Sequence, residues 1–426
     1  LTPEQFRYFV RNYLSANFET GFQEMLLRHY MLFVEASPNG VLEKRAGRTA
    51  PAWFAEVTGM DPRRYGALII FCLHHGYHFD IESPDLRHLV YNVDEMLRDA
   101  APDAAAMYRR LHDLAAVPKE LPAVNITDWE TAIYGLHYLR AKPLLQLHGP
   151  QFISLYKHLV AEKILGGTVH VFTELVDLHA PTGWSADAKK RRIQVRIEFG
   201  YVFEDYLRKL LLALFEGPPT KHRFGFARAD GGECDALIVI GKTALAFEFV
   251  HHPWSLADRS SGDASVFVKH LSDNITKAGK LCAEIMQEGR VKELDAPIDR
   301  ALPIVITSEQ IPINVMTAPT LEKQLIAATS QQFVQGYGTV RPVQILSVVQ
   351  LENLDRIEGI GNPEGIVAFL TQRSGDLRSR LSGHTHMEQK LVESRKLKRY
   401  EEVAEAVFRE VGPSLFKSES EGAASG

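Results

Sequence analysis

Three carboxylates lie in two apolar runs near the middle of this 426-residue sequence. Glu233 and Asp235 begin the first run, and Glu248 lies in the second. The Gly-Lys pair at 241–242 separates the runs and predicts a hairpin with a two-residue turn. Because side chains alternate along a strand, counting outward from that turn places Asp235 opposite Glu248, on one face of the hairpin.

Two facing carboxylates destabilise a sheet unless a cation lies between them. Divalent cations such as Mg²⁺ and Mn²⁺ take carboxylate oxygens as ligands. Asp235 and Glu248 are therefore candidate metal ligands, and Glu233, opposite Val250 on the same face, is an auxiliary acid. An unrelated α/β protein with a salt bridge to Glu248 is an alternative, because a buried carboxylate needs a compensating charge.

The segments around the hairpin predict an α/β layer, since helical and extended patterns alternate from residue 198 onward. The predicted elements are a helix over 198–216, a strand over 223–227, the hairpin, a helix over 263–289, a strand over 302–307, a helix over 321–333 and a strand over 340–349. The apolar strand over 302–307 has the composition of a buried parallel strand.

This order of elements, with its acids, resembles the restriction-endonuclease-like fold of the PD-(D/E)XK nuclease superfamily over roughly residues 198–352. The matching parts are Gly200-Tyr201-Val202-Phe203-Glu204, Glu233-Cys234-Asp235, Glu248 and the closing segment 346–352. The resemblance implies that Glu204 assists catalysis and that Asp235 and Glu248 hold Mg²⁺ or Mn²⁺. It also implies that the backbone carbonyl of Phe249 completes the ligand set.

The sequence departs from the family at one position, where Val250 replaces a lysine two residues after the second acid. In the family that lysine orients or deprotonates the attacking water and neutralises charge in the transition state. Two interpretations stay open. Lys269 on the following helix supplies the missing cation, with His251 and His252 as weaker choices, or the domain has lost catalysis and keeps a binding role.

With catalysis retained, the resemblance implies a divalent-metal-dependent DNA endonuclease that hydrolyses phosphodiester bonds, in a bacterial defence or mobile-element setting. The alternative is a catalytically inactive nuclease-like module that serves as a DNA-binding or protein-interaction subunit.

The first residues after the predicted loop at 179–187 bear on the DNA partner. They form a basic cluster that either binds phosphates or is a solvated helix face: Lys189, Lys190, Arg191, Arg192 and Arg196. The basic segment 395–400 allows the same two interpretations.

Composition limits the function classes. The net charge of −5 is mild, so any nucleic-acid surface must be a local patch. Three scattered cysteines without a CxxC pair argue against a disulfide framework or a zinc site and favour a reducing cytoplasm. His74 and His78 lack the acid of a zinc-protease helix. The apolar run over 68–73 is too short to span a membrane, and no signal peptide is visible.

The length predicts two or three domains. We expect a helical domain over 1–180, a nuclease-like α/β sheet domain over 190–355, a short helical C-terminal part over 356–417 and a disordered tail over 418–426. The first domain has no recognisable motif, so DNA recognition, a homodimer contact and a partner-protein contact all stay open. Its predicted helices include 22–34, 51–57, 61–77, 85–97, 104–114 and 152–165, with a helix capped by Thr127 and an extended piece at 142–145.

Overall fold

The computed structural model describes residues 22–76, 90–117, 142–154, 160, 163, 169–178, 181–227, 233–252, 264–309, 311, 318–329, 331–336, 338–357, 360–375 and 395–415. The chain divides into two compact units, Leu1–Asp205 with Arg399–Gly426, and Tyr206–Lys398. We call these the first and the second unit. The predicted helix after Thr127 and the predicted tail over 418–426 lie outside the described residues, as does the predicted helix cap Asp263.

Helices build most of the first unit. They are α1 (Phe22–His29), which continues as a π-helical turn over Tyr30–Val34, α2 (Val41–Ala46), α3 (Ala50–Thr58), α4 (Pro62–Gly76), α5 (Val93–Met96), α6 (Pro102–Ala115) and α7 (Val169–Leu178). The predictions over 51–57 and 104–114 are confirmed. Thr49 caps α3 by accepting a hydrogen bond from the backbone N–H of Ala52, as the Thr-Ala-Pro sequence at a helix start favours.

Aromatic rings fill the core of this unit. Phe33, Trp53 and Phe54 are fully buried, and the ring of Phe33 lies 4.7 Å from that of Phe54 and 5.2 Å from that of Phe172. Such tilted and edge-on ring contacts stabilise a core beyond the burial of their area. His29 lies in the same cluster, and burial lowers its pKa to about 4, so it is neutral at physiological pH.

A small sheet corrects the prediction of a wholly helical first region. Its strands are β1 (Val90–Asn92), β2 (Ala116–Val117), β3 (Leu144–Gln146) and β4 (Gln151–Ser154), in the order β1-β4-β3-β2. The extended piece at 142–145 is thus confirmed as β3, whereas the predictions of helix at 90–92 and 152–154 are wrong. Gly149, with φ of 54°, lies in the turn between β3 and β4. The ring of Phe152 packs on that of His112, with centroids 5.0 Å apart.

Helix α8 (Ala188–Leu214) contributes residues to both units. It begins at Ala188 rather than at the predicted residue 198, so the basic cluster lies in its first turns. Asp187 precedes it and accepts a hydrogen bond from the backbone N–H of Lys189 with its side chain. This arrangement is typical of a helix start, where backbone N–H groups lack partners within the helix.

The second unit is an α/β layer, as predicted. Its elements are β5 (Thr220–Ala227), β6 (Glu233–Ile240), β7 (Thr243–Val250), α9 (Ala264–Glu288), β8 (Arg290–Val291), β9 (Ala296–Pro297), β10 (Arg300–Thr307), α10 (Ala318–Ala328), α11 (Gln331–Gln335), β11 (Gln344–Ser347), α12 (Val348–Glu352) and α13 (Pro363–Ser374). The helix expected over 321–333 is two helices, and the strand expected over 340–349 ends at Ser347. Ser347 and Gln350 form the capping box that starts α12.

The main sheet has the order β11-β10-β7-β6-β5. β5, β6 and β7 are antiparallel neighbours, whereas β10 runs parallel to both β7 and β11. The predicted buried parallel strand is therefore confirmed in β10. Helix α9 covers one face of the sheet through Leu271, Ile275 and Cys282, which are fully buried. On the other face, Phe215 at the end of α8 packs on Phe247.

The last described helix is α14 (Arg395–Val411), followed by a 3-10 turn over Gly412–Leu415. Its Phe408 is buried against Gly66 of α4, where any Cβ atom would overlap the phenyl ring. The part of α14 around Phe408 thus packs within the first unit. None of the helices in the described ranges is both long and apolar enough to cross a lipid bilayer.

Candidate functional site

The hairpin has the predicted turn and register. Gly241 takes the left-handed φ of 58° that a tight turn requires. The pairs run from Ile240–Thr243 to Ala236–Phe247, which confirms the register over that range. By the same count, Asp235 is the next residue of β6 and Glu248 the next residue of β7.

Asp235 lies at an irregular point of the sheet. The register of β5 on β6 passes from Phe224–Ala236 to Phe226–Cys234, which leaves Gly225 facing Asp235. Gly225 has a φ of 63°, a left-handed conformation that favours glycine, and the register is the same on both sides of it. At this position an Asp235 carboxylate oxygen accepts a hydrogen bond from the backbone N–H of Phe249 at 2.6 Å. The Asp235 carboxylate is thereby fixed beside the backbone that follows Glu248.

Both carboxylates lie in a poorly hydrated environment. Glu248 is only 2% exposed, and Asp235 is half-buried. Burial raises the pKa of the Cys234 thiol well above its usual value, and the charges of Glu248 and Asp235 raise it further. Since both charges act on one thiol, both carboxylates lie near Cys234. This places two hard oxygen donors near each other on neighbouring strands.

Two cations act on Asp235. Burial raises the pKa of the Asp235 carboxyl, while the Phe249 N–H and then the positive charges of Lys277 and Arg208 oppose that rise. Lys277 lies on α9 and Arg208 on α8, where its guanidinium also stacks on the ring of Phe224 at 5.3 Å. The sequence reasoning missed both residues.

The packing of α9 explains why Lys277, and not Lys269, lies level with the acids. Val250, after Glu248, shares a buried cluster with Leu271 of the first half of the helix. Cys234, before Asp235, shares a second cluster with Cys282 of the later half. The acids between these two levels therefore face the middle of α9. Lys269 and Lys277 are both exposed, and Lys269 lies about two turns nearer the start of α9.

Val250 lies where the resemblance predicts a lysine, and it is 6% exposed within the apolar cluster on α9. The strand ends there, and the next two residues are His251 and His252, both half-buried. The ring of His252 stacks on that of His270 of α9, with centroids 3.5 Å apart. His251 and His252, the weaker candidates for the missing cation, therefore lie just after the end of β7.

The two remaining candidate acids have different settings. Glu233 is exposed, its carboxylate lies against Gly225, and its charge raises the pKa of Asp235. Glu204 is half-buried on α8 and belongs to the first unit. Its neighbour Asp205 is buried and accepts the N–H groups of Val41 at 2.7 Å and of Leu42. Asp205 thus caps α2, whereas the catalytic role of Glu204 stays a prediction.

The residues of the basic cluster differ in their exposure to solvent. Lys189, Lys190, Arg192 and Arg196 are exposed on α8. Arg191, by contrast, is buried and donates hydrogen bonds to the carbonyl oxygens of Ser185 and Ala186. Asp177 forms an ion pair with Arg191 and a shorter one with Arg192. The prediction that Arg191 contacts phosphate is therefore corrected, because its guanidinium holds the start of α8.

Within the described ranges, no group of three or more His, Cys, Asp or Glu side chains is arranged to hold a metal ion. The predicted site uses fewer side chains, since it combines the carboxylates of Asp235 and Glu248 with the carbonyl of Phe249. These donors are all oxygens, and the Asp235–Phe249 hydrogen bond brings two of the three residues together. The residues present therefore fit Mg²⁺ or Mn²⁺ in donor chemistry.

Comparisons with known proteins assign no family. No family model, no curated protein and no solved structure matches this chain. Any statement about function therefore rests on the fold of the second unit and on the residues of the candidate site.

Proposed function

We propose that the second unit is a divalent-metal-dependent DNA nuclease of the restriction-endonuclease-like type. The observation that carries this proposal is the hairpin register, which puts Asp235 and Glu248 directly after the pair Ala236–Phe247 on neighbouring strands, with the Asp235 carboxylate held by the N–H of Phe249. The element order adds support. A helix, an antiparallel β5–β6–β7 meander, a second helix and the parallel strand β10 follow one another, as the resemblance predicts.

Each residue has a defined part in this proposal. Asp235, Glu248 and the carbonyl of Phe249 would hold the metal ion, which when bound lowers the pKa of a water and polarises a phosphate. The Phe249 N–H orients the Asp235 carboxylate. Lys277 supplies the positive charge that Val250 cannot, and it stabilises the negative charge that develops on the phosphate.

The substrate class follows from charge. A phosphodiester needs cations to offset its phosphates, and the four exposed basic residues of α8 provide a local patch on an otherwise acidic chain. We infer that DNA is the substrate and that Lys189, Lys190, Arg192 and Arg196 contact its backbone. Because such contacts do not read bases, binding through this patch is independent of sequence.

The decisive experiment is cleavage of supercoiled plasmid with Mg²⁺ or Mn²⁺. We expect Asp235→Asn and Glu248→Gln each to slow cleavage by about 10²–10³-fold or more, as losses of a main electrostatic contribution do. Lys277→Met should have an effect of similar size, whereas the matched control Lys269→Met should retain activity. Equal activity of Asp235→Asn, Glu248→Gln and wild type would exclude this site as the source of cleavage.

A second candidate function is a catalytically inactive nuclease-like module that binds DNA or a protein partner. The burial of Val250 in an apolar cluster favours it, because this replaces a catalytic cation by hydrocarbon. Three results together would establish this candidate. The chain would cleave no DNA, and calorimetry would detect no Mn²⁺ binding. It would still bind duplex DNA, with an affinity that Lys190→Glu and Arg196→Glu reduce.

A further inference from the structure

A shallow groove in the first unit lies between the end of α2 and the first half of α8, with a volume of about 330 Å³. Ile193, Ile197 and Tyr201 of α8 line it at intervals of one helical turn. Ile193 is 47% exposed and Ile197 is 52% exposed. Two large apolar side chains exposed next to each other on one helix face form a candidate interaction surface.

Basic residues border this apolar stripe. Arg45 and Lys190 line the groove itself, and their sequence neighbours Lys44 and Lys189, with Arg196 beside Ile197, are exposed. Arg192 is paired with Asp177. The one acid in the lining, Glu198, is buried and is engaged by Gln194 at 3.0 Å and by Arg48 at 3.7 Å. The groove therefore presents an apolar floor with a positive border.

This combination fits an amphipathic helix better than it fits DNA. A helix lies in an apolar groove through side chains spaced three and four residues apart, the same spacing as the isoleucines below it. A nucleic-acid backbone offers phosphates and sugars, which give two isoleucines little to contact. Acidic residues beside the apolar stripe of the partner would pair with the positive border.

We propose that this groove binds an amphipathic helix of a partner protein whose apolar stripe is flanked by acidic residues. The surface lies in the first unit, and none of its residues belongs to the predicted metal site. Lys190 and its basic neighbours also belong to the patch proposed to contact DNA, so an acidic helix and a DNA backbone would compete for them. The proposal goes beyond the nuclease function, and its failure is distinguishable from a failure of cleavage because Ile197 belongs neither to the metal site nor to the DNA patch.

The test uses the full chain and two labelled helical peptides of roughly five turns that share one leucine stripe. One peptide carries Glu at its polar positions and the other carries Lys. By fluorescence anisotropy, we expect the Glu peptide to bind and the Lys peptide not to bind. Ile197→Glu should weaken binding at least about tenfold, which corresponds to about 1.4 kcal/mol. Leu212→Glu is the matched control, since Leu212 is 42% exposed on the same helix and does not line the groove.

Several results would overturn the proposal. They are equal binding of both peptides, no binding of the Glu peptide at about 1 mM, and unchanged binding in Ile197→Glu. Two further outcomes would assign the groove to another occupant. A loss of duplex-DNA affinity in Ile197→Glu as large as the loss of peptide affinity would indicate a nucleic-acid surface. A wild-type dimer that Ile197→Glu converts to a monomer, measured by sedimentation, would indicate a second copy of this chain.

Discussion

Asp235 shows how one residue can serve the proposed function at a cost to stability. Its carboxylate is partly withdrawn from water, and the effect of burial on its pKa outweighs the opposite effects of the Phe249 N–H and the charges of Lys277 and Arg208. Its pKa is therefore raised, which means that the ionised form is less favourable in the folded chain than in the unfolded chain. The proposed metal binding would need this ionised form, which burial in the fold disfavours.

The first prediction concerns stability and pH. Asn at position 235 keeps an oxygen that can accept the Phe249 N–H but carries no charge. Because the folded pKa of Asp235 is raised, the wild type loses stability relative to Asp235→Asn as pH rises above the unfolded value of 3.8 and through the folded value. We expect a higher melting temperature for Asp235→Asn at pH 7 without metal, and no difference below pH 3.8. A lower melting temperature at pH 7 would contradict the raised pKa.

A second prediction separates the two lysines of α9. Lys277 lowers the pKa of Asp235, so Lys277→Met raises that pKa further and moves the pH at which Mn²⁺ binds half-maximally to a higher value. Calorimetric titration with Mn²⁺ over a series of pH values measures this midpoint. Lys269→Met removes the same charge from the same helix and should leave the midpoint unchanged. A shift in Lys269→Met alone would restore the original candidate.

Among the elements, α9 decides the geometry of the site. Its apolar stripe was evident in the sequence, and the helix over Ala264–Glu288 confirms it. The helical pattern alone could not show which turn of α9 lies beside the acids. The position of α9 along the strands depends on which of its residues contact Val250 and which contact Cys234. The prediction of Lys269 rests on the order of elements, which does not specify which turn of α9 lies beside the acids.

The third prediction tests the contact of α9 with the sheet. Leu271 is fully buried in the cluster that includes Val250 and Val305. We expect Leu271→Ala to lower the free energy of unfolding by about 2–5 kcal/mol, because it leaves a cavity in a packed core. Urea denaturation of the second unit gives this value. Lys280→Ala changes an exposed residue of the same helix and should stay within about 0.5 kcal/mol of wild type.

The fourth prediction concerns the irregular position in β5. Gly225 has a positive φ, and a Cβ atom there would overlap the carboxylate of Glu233. Gly225→Ala should therefore lower the free energy of unfolding by roughly 1–2 kcal/mol, and Glu233 must move away. Gly225→Ala combined with Glu233→Ala removes the overlap but not the backbone strain. Urea denaturation should show that the double variant recovers only part of the loss.

At the scale of the whole molecule, the two units have separate cores, one aromatic and helical and the other an α/β layer. We expect a fragment over residues 181–398, which contains all of α8, to unfold in a single cooperative thermal transition. Circular dichroism at 222 nm follows this transition. The Leu271→Ala loss should have the same size in the fragment as in the full chain, since its partners all lie in the second unit. A fragment without cooperative unfolding would show that the units depend on each other.

The sequence by itself determined the parts that depend on local pattern. The Gly-Lys turn and the alternation beside it were sufficient for the hairpin register from Ile240–Thr243 to Ala236–Phe247. The apolar stripe predicted α9, and the continuous apolar composition of 302–307 predicted the buried parallel strand. Each of these signals lies within a few residues of the structure that it specifies.

Tertiary structure decided the remainder. The helix predicted at 152–154 is strand β4, because Phe152 packs on the distant His112 and β4 pairs with β1 and β3. Asp177 and the start of α8 bury Arg191, which the sequence alone could not distinguish from its exposed neighbours. The charges of Lys277 and Arg208 reach Asp235 only because two helices pack on opposite faces of one sheet. Contacts between residues far apart in the chain leave no local sequence pattern, so only the folded structure identifies them.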